Sequence, residues 1–373
     1  MPFIRRLPTL PLAHFKLRFI RRLFASPLVL LFFAFCLLPA GTIAQVIGGR
    51  HVFQFMTLSP SARITALGGA QITVRDDDVT FAATNPGALN PAMDGQLTFQ
   101  HNFYLADVQT GYAAFATHLP KIGFTVHGGL QYMNYGDIAQ ADEFGNILGK
   151  VKAGETAFTL GGARQLTPRL SMGLNLRFGV STLDVYQASA LAADAGVMYT
   201  DTARLFSAAL VLRNFGAQIA TYNDTREDLP RDIQFGISKR LRYLPFRLTV
   251  IAHHLHQWEI RYDDPSLQDD NTLLFGGEQS QSDGNPGLDN FFRHFIFNGE
   301  FLLGRNEVFR IRLGYNHLRK KELTVRNYRS LAGFSGGVGI KVKRFRIDVG
   351  YASYHLAGGI VHFGVGTNLK EFF

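Results

Sequence analysis

The stretch that decides the fold is Leu170-Ser171-Met172-Gly173-Leu174-Asn175-Leu176-Arg177-Phe178-Gly179-Val180-Ser181. Large apolar residues occupy every even position, and small, polar or charged residues every odd one. Successive side chains of an extended strand point to opposite faces, so this alternation predicts a strand with one apolar and one polar face. The pattern recurs. Phe309, Ile311, Leu313 and Tyr315 alternate with Arg310, Arg312, Gly314 and Asn316, and Phe345, Ile347, Val349 and Tyr351 with Arg346, Asp348, Gly350 and Ala352. Phe334, Val338, Ile340 and Val342 alternate with Ser335, Gly337, Gly339 and Lys341. These runs are about 10–14 residues long, whereas globular strands run to about 5–6 and tilted membrane strands need about 9–11. A transmembrane barrel with a polar lumen and an aromatic-rich lipid face accounts for both faces.

About fourteen such segments fall between Gly95 and Phe373, an even number as a bacterial barrel requires. The long connections are expected at 136–152, 216–230, 259–290 and 318–331. The short ones, at Leu119-Pro120, Leu166-Thr167, Thr202-Ala203, Arg242-Tyr243-Leu244, Gly304-Arg305-Asn306 and Lys343-Arg344, all share one parity. Short turns belong on the periplasmic side, which puts both barrel termini there and the long loops outside. Phe373, in phase with Val361, Phe363, Val365 and Leu369, reads as a C-terminal insertion signal. The fold class expected is therefore all-β, an outer-membrane barrel of about fourteen antiparallel strands over 95–373.

The chain carries 38 Lys+Arg against 29 Asp+Glu, a formal charge of +9. Residues 1–44 hold Arg5, Arg6, Lys16, Arg18, Arg21 and Arg22 and no acid. Without them 32 basic residues face 29 acidic ones, so the excess is mostly a local feature and gives no reason to expect nucleic-acid binding. A basic stretch to Arg22, an apolar run from Leu28 to Leu38, the breakers Pro39 and Gly41, and small residues at Thr42 and Ala44 read as a signal peptide cleaved near Ala44. The apolar run is too short to span a bilayer as a helix. Arg21-Arg22 matches a twin-arginine signal poorly, and Cys36 follows Phe35 where a lipoprotein site needs a small residue. Cys36, the only cysteine, would leave with the leader, so no thiol chemistry is expected.

Residues 45–94 lack alternation and are rich in Gly, Ser, Pro, Asp and Asn. A structureless stretch of this length in a compact chain usually has a function. It is expected to form a plug inside the barrel, with Ser61, Arg63, Gly68, Gly69, Asp76, Asp78, Asn85 and Pro86 as its marked residues. Arg63 and the Asp76–Asp78 run would meet charges of the lumen. The Asp run does not have the ligand spacing of an EF-hand loop, so no calcium is expected.

These residues also carry a resemblance. Asn85-Pro86-Gly87 looks like the NPA-type motif in the hatch of FadL-like barrels, with Gly in place of Ala. More closely, Val52-Phe53-Gln54-Phe55, Ser61 to Gly69, Asp76-Asp77-Asp78-Val79, Tyr132 to Gly136, Asp142 to Asn146, Arg213 to Gly216, Gly236 to Lys239 and His253-His254-Leu255 resemble the PorQ family of the type IX secretion system. The resemblance covers the whole mature chain. It implies a Bacteroidota outer-membrane barrel that holds a PorZ-like partner beside the PorU sortase and the related barrel PorV. A transporter of hydrophobic small molecules, as in FadL-like barrels, and a PorV-like cargo shuttle are the alternatives.

The remaining chemistry is sparse. No nucleophile–base pair, phosphate loop or Ser-x-x-Lys set emerges, so no enzyme and no cofactor are expected. His253, His254 and His256 are the best metal candidates. Two histidines sharing a strand face lack a third and fourth ligand, so they read as rim residues and no metal is expected. The acidic loop with Asp263, Asp264, Asp269 and Asp270 and the basic loop with Arg319, Lys320 and Lys321 are expected on the outer surface, where they could dock a partner or lipopolysaccharide.

Overall fold

The computed structural model describes residues 51–105, 107–261, 286–323, 330–355 and 358–372. The leader expected over residues 1–44, the aspartates Asp263, Asp264, Asp269 and Asp270, and Phe373 lie outside them. Fourteen strands are β1 (Gln96–Phe103), β2 (Gln109–Leu119), β3 (Phe124–Ala141), β4 (Ile147–Thr167), β5 (Leu170–Leu183), β6 (Tyr186–Asp201) and β7 (Phe206–Ala220), then β8 (Asp232–Arg240), β9 (Phe246–Ala252), β10 (Phe295–Leu303), β11 (Phe309–Asn316), β12 (Phe334–Val342), β13 (Phe345–His355) and β14 (Gly358–Asn368). Each pairs antiparallel with its sequence neighbours, and β1 closes on β14 through Gln96↔Asn368 to Phe103↔Val361, giving a closed barrel. Closure leaves every strand with two partners, which satisfies the backbone where water is absent.

Alternation sets the two faces. On β5, Leu174 is 64% exposed and Leu176 59%, while Asn175 is fully buried and Arg177 nearly so. Phe235 and Ile237 on β8 and Ile347 on β13 are exposed, and Arg312 and Asp348 are buried. An apolar outside around a polar inside is the inverse of a soluble protein and fits a bilayer. No helix among the described residues is long and apolar enough to cross a membrane. Leu176→Arg puts a charge into lipid and is expected to lower folding stability in bilayers by ~2–4 kcal/mol. Urea titration in lipid vesicles checks this, and an unchanged midpoint would place β5 elsewhere.

The turns between β2 and β3, β4 and β5, β6 and β7, β8 and β9, β10 and β11, and β12 and β13 all lie at one end, here the turn end. The described connecting residues 221–231, 253–261, 286–294, 317–323 and 330–333 lie at the opposite, loop end. Three expected boundaries change. Residues 136–152 are mostly strand rather than loop: β3 continues to Ala141 past a register shift after Asn134, and β4 starts at Ile147. Asp142 closes this hairpin by accepting from Phe144 N at 3.0 Å and Asn146 N at 2.8 Å. Both faces of the extension are largely exposed, so it shows no apolar alternation. β9 ends at Ala252 instead of running to Trp258. Residues 286–293 form helix α2 ahead of β10, and 317–322 form α3 after β11. Helix α1, Ala62–Ala66, precedes the barrel.

Candidate functional site in the lumen

Residues 52–94 are almost wholly buried, and the wall residues that bind them are the inward members of the alternation. His51 bridges to Asp228 at the loop end. Asp94, at the turn end, accepts from His118 N at 2.9 Å and its carbonyl accepts from Asn368 Nδ2 at 3.0 Å. The segment therefore runs from one end of the barrel to the other.

Its conformation follows from its marked residues. Ser61 Oγ accepts from Ile64 N at 3.3 Å and caps α1. Gly68 and Gly69 end that helix at φ +87° and +89°, the left-handed region that glycine enters without a Cβ clash. Gly69 N returns to Ile64 O at 3.0 Å. Asn85 caps the short 3-10 turn Pro86–Ala88 by accepting from Gly87 N at 2.8 Å, and Pro86 loses no bond at its first position. Asn85 Nδ2 also donates to Ile72 O at 2.7 Å. These two residues hold the backbone of the segment and touch no charge.

Arg63 is the centre of the site. It is 1% exposed and lies over the Phe81 ring at 4.8 Å. Its Nε and Nη2 donate to the two oxygens of Glu300 on β10, both at 3.0 Å, a bidentate fork. Its Nη1 reaches Asp76 at 2.7 Å and Asp78 at 3.3 Å. From there the network spreads over the wall. Glu300 also accepts from Arg312 at 2.9 Å and Arg247 at 3.1 Å, and Arg312 donates to Asp348 at 2.6 Å. Arg346 pairs with Asp78 at 2.9 Å and Asp77 at 3.3 Å, and Arg310 lies 4.0 Å from Asp76. Five arginines thus face five carboxylates at the centre of the network, which Lys341 on Asp77 and Glu307 on Arg310 extend. Isolated buried charges would be prohibitive, and mutual pairing is what makes this burial tolerable.

A second contact region lies on β3 to β7. Arg177 pairs with Asp194 at 2.7 Å and donates to the carbonyls of Met56 and Ala83. Asn175 donates to Ala82 O at 2.9 Å, Gln131 to Phe55 O at 2.8 Å and Ser171 to Gly87 O at 2.6 Å. Wall side chains thereby satisfy carbonyls that short helical turns leave open. Glycines of the wall let the segment sit against bare backbone. A Cβ at Gly350 would lie 2.2 Å from Ala62 O, and one at Gly173 2.4 Å from Pro86 O.

Of the residues marked in the sequence, Arg63, Asp76 and Asp78 come together, while Ser61, Gly68, Gly69, Asn85 and Pro86 shape the segment. Glu300, Arg177 and Asp194 were not singled out. Their inward position in the alternation was the available signal. Arg319, Lys320 and Lys321 lie on α3 rather than in an open loop. Arg319 turns toward the segment, lying 3.4 Å from Gly68 O and 4.5 Å over the Tyr354 ring, and Lys321 pairs with Asp289 of α2 at 3.0 Å.

The charges of the segment give the site a pH dependence. Burial alone would raise the Asp76 carboxyl, but Arg63, then Arg310, Arg247 and Arg346, hold it well below the usual carboxylate range. Asp78 is lowered too, with Arg346 and Arg63 overcoming burial. A carboxyl depressed in the folded state contributes stability above its unfolded pKa of about 3.9, and loses it as pH falls through the folded value. Hydrogen exchange over residues 60–80 is expected to be uniformly slow from about pH 5 to 8, after correction for intrinsic rates, and to accelerate only below about pH 4. Loosening between pH 5 and 7 would contradict the ion-pair account.

No protein-family model and no curated protein matches the chain. Among solved structures, the toluene transporter TodX of Pseudomonas putida aligns at 10% identity and TM-score 0.47, over 87% of this chain and 98% of its own. The CymD monoaromatic hydrocarbon channel gives 11% and 0.48 over 83% and 96%. A FadL homologue of Pseudomonas aeruginosa gives 12% and 0.46 over 83% and 98%. With TM-scores below 0.5, the fold assignment rests on this chain's own strand pairing.

Proposed function

We propose that the chain is a non-catalytic outer-membrane barrel, sealed by its own amino-terminal segment, that anchors a partner protein at the cell surface. The observation that carries this reading is the charge-balanced segment buried from one end of the barrel to the other. A lumen filled with paired charges is poorly suited to conduct hydrophobic ligands. A docking surface is what remains, and the loop end presents one. Trp258, Leu288, Phe291 and Phe292 are exposed there, with Trp258 stacked on His294 at 5.5 Å. Exposed aromatic groups beside paired charges suit a protein interface.

The resemblance to the PorQ family described above implies a partner from type IX secretion, a PorZ-like protein beside the PorU sortase and PorV, and the same surface would meet lipopolysaccharide. Affinity purification from outer membranes is expected to recover a large exported partner together with the sortase. Recovery of no secretion component, combined with lost uptake of hydrophobic compounds on deletion, would overturn the anchor.

One observation favours the transporter reading instead. A groove of about 400 Å³ opens on the barrel wall between Phe99, Tyr112, Leu130, Tyr132 and Phe363. Tyr112 belongs to the inward face and lines the groove beside the outward-facing Phe99 and Phe363. A lateral passage would start at this groove, and an Ala113→Trp variant, which fills it between Phe99 and Leu130, that abolished uptake would establish it.

A further inference from the structure

We propose that Asp232, His253 and His254 form a binding site for a divalent transition-metal ion of the zinc class at the loop end of the barrel. The three side chains come from two places in the chain: Asp232 opens β8, and the two histidines follow β9. Their ligand atoms all lie within 4.8 Å of one another. Two imidazole nitrogens and one carboxylate oxygen are the ligand set of a three-coordinate protein site with a position left for water or a further ligand.

The backbone explains how two consecutive histidines come to share a target. In an extended strand His253 and His254 would point to opposite faces. His254 instead adopts φ +56°, in the left-handed region, and β9 has already ended. The turn brings the Nδ1 atoms of the two rings to face each other. A non-glycine residue held at positive φ is a strained choice, and such strain concentrates at functional sites.

The surroundings hold the three groups in place. Asp232 Oδ1 accepts from His254 N at 2.7 Å, and its Oδ2 from Gln234 Nε2 at 2.6 Å, which orients the carboxylate. His253 is fixed through its backbone, its N–H donating to His294 O at 2.9 Å and its carbonyl accepting from His294 Nδ1 at 2.8 Å. Outer contacts of this type are what orient metal ligands. No Lys or Arg among the described residues forms an ion pair with Asp232, which is only 9% exposed. Arg213, opposite Asp232 in the β7–β8 register, acts on it without an ion pair and donates instead to Met56 O, so a bound cation would be its direct partner. His253 is 4% exposed; its Nδ1 faces His254 Nδ1, and its Nε2 has no hydrogen-bond partner among the described residues. His254 is the more accessible ligand and the one whose ring rotates to set Zn–N at about 2.0–2.1 Å.

The site lies apart from the charged network around Arg63, and its test is independent of the anchor. The tag-free mature protein in detergent, stripped with a chelator, is titrated with ZnCl₂ by calorimetry, and with CoCl₂ by visible absorption. One ion per chain is expected, with the Co²⁺ spectrum of a low-coordinate N/O site. Asp232→Asn and His254→Gln are each expected to weaken binding at least tenfold. Asp232→Asn keeps the Oδ1 acceptor for His254 N and so preserves the fold, which heat-modifiable gel mobility verifies. His256→Gln is expected to leave binding unchanged. Absence of saturable binding, wild-type affinity in both ligand variants, or loss of binding in His256→Gln alone would each overturn the proposal.

Discussion

Arg63→Met is expected to free the amino-terminal segment while leaving the barrel closed. The methionine keeps the apolar contact with Phe81 and removes the guanidinium. Glu300 then keeps Arg312 and Arg247, but Asp76 loses its closest cation, at 2.7 Å, and Asp78 keeps Arg346. Five carboxylates face four arginines, and the surplus negative charge is buried. Breaking a buried pair by removing one partner costs about 3–5 kcal/mol, most of it from the charge left behind. The barrel does not bear this cost, because its strands pair with one another through β1 and β14. The segment does, and its undocking relieves it by exposing Asp76–Asp78 to water. Limited trypsin digestion of the purified protein is expected to cut after Arg75 in the variant and not in the wild type. Heat-modifiable mobility should be equal in both. Arg63→Lys should fall between them, since it restores the charge but not the fork to Glu300. Equal protection of Arg75 in all three proteins would show that the ion pairs do not hold the segment.

Gly350→Val is expected to have a comparable effect by a different route. The new Cβ would sit 2.2 Å from Ala62 O and 3.0 Å from Ala62 C, and both are backbone atoms. Neither can swing aside as a flexible side chain would. Overpacking of this kind typically costs ~1–3 kcal/mol, and more where backbone must move. Helix α1 therefore lifts from β12 and β13, taking Arg63 away from Glu300. Valine suits a strand, and position 350 faces inward, so β13 and the lipid face are undisturbed. Trypsin access to Arg75 and faster hydrogen exchange over 60–80 report the displacement. Gly350→Ser, with an equally close Cβ, should give the same sign. If Gly350→Val protected the segment as well as the wild type does, the close seating of α1 on the wall would be wrong.

The barrel was legible because its physics is repetitive. Leu174 and Leu176 against Asn175 and Arg177 carry the whole rule, and each strand repeats it. The rule fails where the chain leaves the bilayer. Residues 136–141 and 147–152 are still paired strands, yet both faces meet water, so the apolar alternation that marks a strand is gone. It fails in the other sense after Ala252. His254, His256 and Trp258 keep an alternate spacing, but His254 has turned to φ +56° and the strand is over. For the lumen site, residue type was readable and partnership was not. An arginine and three aspartates in a segment without alternation ask for partners. Glu300 lies 237 positions from Arg63, and nothing local couples them. Placement on another strand likewise hides the proposed metal site. Histidines 253 and 254 look incomplete until β8 brings Asp232 alongside.

Single-channel conductance in planar bilayers tests the sealed lumen most directly. Purified wild-type protein is compared with a variant lacking residues 51–90, which keeps the start of β1. The wild type is expected to show no conductance above the bare bilayer, and the deletion variant stable steps of a water-filled pore. Open steps from the wild type, equal to those of the deletion variant, would contradict the claim that the segment closes the barrel.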